Sequence, residues 1–313
     1  MSFPKFRMIA RMYLDQQQMR IACEHRIRKI LEEIPGIEKI DYMKLIKDKK
    51  EKLLTELKEK LKVDDLTLEL IAIMKTHRDN LYAEEKRLLK DFENVAEDTL
   101  IWKWSKNVKG LGPVGCMTFL GFINPDATSA GKIWKYFGYA PDSKLVKGQK
   151  ANFNREAKGR AWVIATNVIR AGDPYYTALY KAKKKYYLKV RGMEKYIEDP
   201  TKCPDYEKCM ELLRAKAKRL GRPVKKPPCR AHVDNRAKRW LIKLLLSHAW
   251  ELIRREMGRE IPKHRNYIPP KPHEWWEEIA SSEWFQRILR NIETGKLEEV
   301  EPPVTLEEII GEP

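Results

Sequence analysis

Residues 109–122, Lys-Gly-Leu-Gly-Pro-Val-Gly-Cys-Met-Thr-Phe-Leu-Gly-Phe, constrain the fold more than any other stretch of the chain. An apolar residue between two glycines, followed by proline, is the pattern of a very tight turn joining two helices. Gly110 and Gly112 supply the left-handed backbone such a turn demands. Leu111 turns inward as a plug, and Pro113 suits the first turn of the next helix. The start of that helix, with Lys106 and Lys109 just before it and glycines that let another backbone approach, is suited to hold a phosphate. The competing reading is a helical hairpin that serves packing alone, because short glycine motifs arise often by chance.

Charge favours the phosphate. The chain carries 63 Lys and Arg against 45 Asp and Glu, a net charge of +18. A balance this basic seeks polyanions, of which nucleic acid is the commonest. Between Lys132 and Arg191 fifteen basic residues face three acidic ones, and between Arg214 and Lys243 twelve face only Asp234. The segment from Glu274 to Pro313 reverses sign, with eleven glutamates against Arg287, Arg290 and Lys296. A Lys/Glu-rich thermophile surface would intersperse its signs. Blocks of one sign argue for a binding surface.

The apolar pattern is helical almost throughout. Residues 4–34 repeat at three and four (Phe6, Ile9, Ala10, Tyr13, Met19, Ala22, Ile27, Ile30, Leu31) and end at Pro35-Gly36. A second helix is expected from Tyr42 to Leu61, and a third after the capping pair Asp64-Asp65, with Leu68, Leu70, Ile73, Leu81, Leu88 and Leu89 in its stripe. Leu-striped, charged helices of this kind pair as an antiparallel hairpin or across a dimer. A short helix with Trp102 and Trp104 then leads into the glycine turn. After it come a short helix ending at Phe137-Gly138, a loop or small hairpin over 142–154, and helices over 155–171, 175–190 and 231–257. Residues 193–230 read as an insertion with a small core of its own, and one more helix is expected around Trp284–Ile292.

The fold class is therefore mainly α. A coiled-coil-like region over 1–100 that forms a homodimer precedes a helix-hairpin-helix DNA-binding domain over 101–192. An insertion over 193–232, a closing basic helix over 233–258 and a Pro-rich, then acidic tail over 259–313 follow. No apolar run is long enough to span a bilayer and no signal peptide is recognisable, so a cytoplasmic protein with no membrane partner is expected.

From roughly Leu66 to Met257 the order of motifs resembles the C-terminal half of the DEDD-type, bridge-RNA-guided insertion-sequence transposases. The matching features are Gly110-Leu111-Gly112-Pro113, Phe137-Gly138-Tyr139-Ala140-Pro141, Lys147-Gly148, the helix Lys158–Arg170, Pro174-Tyr175-Tyr176 and the basic helix Ala237–Trp250. The resemblance implies DNA binding. Two departures bear on strand exchange. The first hundred residues are helical and lack the four-carboxylate RuvC-like nuclease domain, without which there is no metal-activated attack on phosphate. The nucleophilic serine that family members place before the loop glycine is replaced here by Val146-Lys147-Gly148, and Ser143 stands several residues too early.

Three cysteines and a histidine follow the pattern Cys203-x5-Cys209-x19-Cys229-x2-His232. Three thiolates and an imidazole are the soft ligands of tetrahedral zinc, although the first spacing is one residue wide. A structural Zn2+ would supply stability to an insertion poor in large apolar side chains. A Cys203–Cys209 disulfide and three unrelated cysteines compete, with Asp205, Glu207 and His248 as substitute ligands. Cys23 and Cys116 read as core.

The expected partner is double-stranded DNA of a mobile element, plasmid or virus, held through phosphates largely without sequence reading and without catalysis. The expected contact residues are Lys109, Gly110, Leu111, Gly112, Lys147, Lys150, Arg155, Lys158 and Arg160, which form one surface, together with Arg236, Lys238 and Arg239. The alternatives are a recombinase or its partner subunit, and an RNA-binding protein that uses Tyr175, Tyr176, Tyr186 and Tyr187.

Overall fold

The computed structural model describes residues 3–47, 50–146, 148–189, 192–221, 223 and 229–261. All regular structure among these residues is helical. The chain divides into two compact units. The first comprises residues up to Trp102 with Cys116–Gly121, and the second comprises Lys103–Gly115 with the chain from Phe122 onward. The acidic C-terminal segment and the expected helix around Trp284–Ile292 lie outside the described residues.

In the first unit, α1 (Phe3–Glu32) and α4 (Asp65–Ala96) run antiparallel. Asp64 caps α4 by accepting the Thr67 N–H at 2.9 Å. The segment between them holds a 3-10 turn (Ile37–Lys39), α2 (Tyr42–Leu45) and α3 (Lys50–Leu61). The single helix expected over 42–61 is thus replaced by two. Leu45 and Ile46, adjacent and both buried, enter the core where α2 ends. That core joins Ile27, Leu31, Leu53, Leu57 and Ile71, all fully buried. Each such side chain contributes about 1.5–3 kcal/mol.

A charged layer crosses the same helix pair. Arg20 bonds Glu85 (2.5 Å) and Glu24 (2.8 Å), and Arg78 bonds Glu24 (2.9 Å) and Asp79 (2.8 Å). Lys75, fully buried, reaches both oxygens of Asp79. Desolvation offsets much of the Coulomb gain in such pairs. The apolar cluster therefore stabilises the pair, and the ionic layer fixes its register.

The second unit continues with the end of α5 (Leu100–Asn107) and the glycine turn that opens α6 (Gly112–Phe122). Then follow α7 (Ala130–Tyr136), α8 (Arg155–Ala171), α9 (Pro174–Lys189), α10 (Lys195–Glu198), a 3-10 turn (Pro200–Lys202), α11 (Tyr206–Leu220) and α12 (Cys229–Glu256). Helix α8 matches its expected span because its stops are local. Asn154 accepts the Ala157 N–H at its start, and Gly172 takes the left-handed conformation at its end. Helix α12 packs on α7, α8 and α9. Residues 142–154 form a loop with no strand. The small core expected within the insertion is absent among the described residues: only Met193 and Cys209 are buried there, since the segment has few large apolar side chains.

Candidate nucleic-acid interface

The glycine turn forms as the residues dictate, with φ of +87° at Gly110 and +60° at Gly112. Leu111 is buried, and its side chain lies where a Cβ on Gly115 would stand 2.6 Å from Leu111 Cδ1. The two turn glycines have different neighbours. A Cβ on Gly110 would stand 2.5 Å from the Asn167 carbonyl oxygen and 2.8 Å from Ala171 Cβ, so this glycine lets the turn touch the last turns of α8. Around Gly112 no atom lies within 4 Å of a Cβ position. Gly112 alone has the open side that an approaching phosphate needs. Asp173, buried, ties the turn to α9: its carboxylate accepts the Lys109 N–H (3.0 Å) and the Tyr176 N–H (2.8 Å). Burial pushes the Asp173 carboxyl above its usual range against the pull of these amide hydrogen bonds.

A second assembly lies on the other side of α8. Lys158 and Asn167 are nine residues apart, which places them on opposite faces and about 13 Å apart along the axis. Here the turn Phe137–Pro141 supports a group of cations. Gly138, at φ +73°, leaves the space that Phe153 occupies; a Cβ would stand 2.6 Å from that ring. Lys158 Nζ lies 4.3 Å from the centroid of Phe153 and 5.7 Å from that of Tyr139, whose hydroxyl donates to the Lys158 carbonyl at 2.8 Å. Lys243 Nζ lies 5.1 Å from the centroid of Trp134, whose Nε1–H donates to the Lys243 carbonyl (3.1 Å). Burial first, and then the neighbouring Arg239 guanidinium, hold both lysines below the ordinary lysine range. None of Lys158, Arg239 and Lys243 has an acidic partner among the described residues.

Aromatic rings in this assembly are floor and not platform. Phe153, Tyr139 and Trp134 are buried beneath the lysines, as are Tyr175 and Tyr176 in the core. Tyr176 accepts from Trp104 Nε1 at 3.0 Å and pairs with His248 Nδ1 at 2.7 Å. These rings are therefore not open to a nucleobase, which removes Tyr175 and Tyr176 from the RNA reading. The side chain of Tyr186 lies outside the described residues.

The expected contact residues thus separate. Lys109 is exposed at the glycine turn, and Lys150 and Arg155 are exposed near the second assembly in sequence. Arg160 pairs with Glu156 (2.7 Å) and Lys238 with Asp234 (3.5 Å), so each has an acidic neighbour to leave before meeting a phosphate. Arg236 and Arg239 are exposed on α12, and Lys147 lies outside the described residues. The single surface expected from motif proximity is two stations on opposite faces of α8, because nine residues of helix turn one motif away from the other. Lys243 and Asp173 were missed. Asp173 carried a local signal, an acidic cap before a helix-starting proline; Lys243 carried none, since its role depends on Trp134 from a distant helix.

Ser143 sits beside the Phe137–Pro141 turn, and its Oγ has no hydrogen-bond partner among the described residues. In the insertion, Cys209 Sγ and His232 Nε2 lie 3.3 Å apart, and Cys203 and Cys209 carry free thiols. The Cys229 side chain lies outside the described residues. Among those described, no three His, Cys, Asp or Glu side chains form a group that could hold a metal ion. No helix among them is long and apolar enough to cross a membrane. Compared with known proteins, the chain matches no family model, no curated sequence and no solved structure.

Proposed function

We propose that this protein binds double-stranded DNA through its backbone phosphates, largely without reading bases and without a catalytic centre of its own, in the service of a mobile element, plasmid or virus. The observation that carries this reading is the group Lys158, Arg239 and Lys243. Three cations held near one another, two of them with lowered pKa values and none with a carboxylate partner among the described residues, repel one another until an anion arrives. A phosphate relieves that repulsion. Buried rings beneath the lysines favour phosphate over base contact. The open side of Gly112, next to Lys109, offers a second phosphate station on the opposite face of α8. The transposase-like order of motifs supports the same partner.

Binding to labelled duplex, with unlabelled RNA of equal length as competitor, tests the reading. Duplex DNA is expected to compete better than RNA and affinity to fall steeply with salt. Preferential binding of RNA would reject it. The reading places the protein in the cytoplasm, acting as a homodimer through its N-terminal helices, where Leu66, Leu70 and Ile73 form an exposed apolar stripe along α4.

A further inference from the structure

The insertion presents a problem of stability that its own side chains do not solve. Helix α11 has fifteen residues, yet between residues 192 and 221 only Met193 and Cys209 are buried among the described residues. Packing of this kind does not hold a helix of that length in place. The one side-chain hydrogen bond given between α11 and α12 is the contact of Cys209, in the first turn of α11, with His232, in the first turn of α12.

We propose that Cys203, Cys209, Cys229 and His232 hold one structural zinc ion. Thiolate and imidazole ligands at ordinary zinc distances and tetrahedral angles stand about 3.5 Å apart. Cys209 Sγ and His232 Nε2, twenty-three residues apart in sequence, already stand 3.3 Å apart. Cys203 lies near enough for its charge to act on the Cys209 thiol. Cys229 begins α12 one turn before His232, and a spacing of three places the two positions on one face of that helix. His248 is excluded as a substitute: it is sixteen residues further along α12, about 24 Å away, and paired with Tyr176. Four protein ligands leave no position for water, so the ion is a fold element and not a catalyst. It ties α11 to the start of α12, just before Arg236 and Arg239.

Metal analysis of protein purified without chelators tests the site, with no reference to DNA. About one zinc per chain is expected, and Cys209→Ser and His232→Gln are each expected to lose it, while Cys23→Ser keeps it. Cobalt-substituted parent protein should show the absorption bands of tetrahedral thiolate ligation, and both variants should lack them. Helical content by circular dichroism identifies a variant that has lost the whole fold; for such a variant the cobalt spectrum of the parent decides. Less than roughly a tenth of a zinc per chain, zinc retained in both variants, or a Cys203–Cys209 disulfide by mass spectrometry would each overturn the assignment.

Discussion

Gly110 and Gly112 stand two residues apart and share a positive φ, yet a methyl group added at each meets different surroundings. At Gly112 it enters open space, so Gly112→Ala costs only the left-handed backbone penalty of about 1–2 kcal/mol. At Gly110 the same penalty is joined by collision with the Asn167 carbonyl and Ala171, adding roughly 1–3 kcal/mol. Thermal unfolding should therefore show a larger fall in Tm for Gly110→Ala than for Gly112→Ala. Equal losses would mean that the turn does not rest on α8. The sequence made the positive φ at both positions legible, because two glycines around an apolar residue signal it locally. It did not show which glycine faces protein and which faces outward, since Asn167 and Ala171 come from a helix more than fifty residues away.

At the scale of the element, the basic faces of α8 and α12 make a pH dependence whose sign is fixed. Lys158 and Lys243 titrate below the ordinary lysine range because burial and Arg239 disfavour their charge. Between the lowered value and the ordinary one, the native state holds fewer protons than the unfolded chain. Stability of the free protein therefore gains from these two groups as pH rises through that window. DNA affinity moves the other way, since the charge that meets phosphate is lost there. Anisotropy titrations at constant ionic strength should show affinity falling before ordinary lysines deprotonate, and the fall should vanish in Lys158→Ala/Lys243→Ala. A pH profile identical in parent and variant would contradict the assignment. Helix boundaries with local signals, such as Asn154 and Gly172 on α8, were legible in advance. The charged layer of Arg20, Glu24, Arg78 and Glu85 was not: read along one helix, these residues look like a solvated face, and only the antiparallel partner encloses them.

For the whole molecule, self-association and DNA binding are separable. On α4, the stripe expected from sequence mixed two faces: Leu68, Leu81 and Leu88 are buried, whereas Leu70 is 46% and Ile73 62% exposed, with Leu66 at 78% on the same side. An apolar stripe of this kind is better covered than wet. Sedimentation should give the parent a mass above the 37.0 kDa of one chain, and Leu70→Glu/Ile73→Glu should return it to that value. A parent mass that stays at one chain at every concentration would end the dimer proposal and leave DNA binding untouched.

The central claim is that Lys158, Arg239 and Lys243 meet DNA phosphates, and the salt dependence of duplex binding tests it most directly. Each phosphate contact adds roughly one to the slope of log affinity against log salt. The parent protein is expected to show a steep slope. Lys158→Ala/Arg239→Ala/Lys243→Ala should bind more weakly and with a slope smaller by roughly two to three, while Arg87→Ala, which removes a surface cation already paired with Glu84, should match the parent. A triple variant with the slope and affinity of the parent, or a parent that does not bind duplex DNA, would contradict the account.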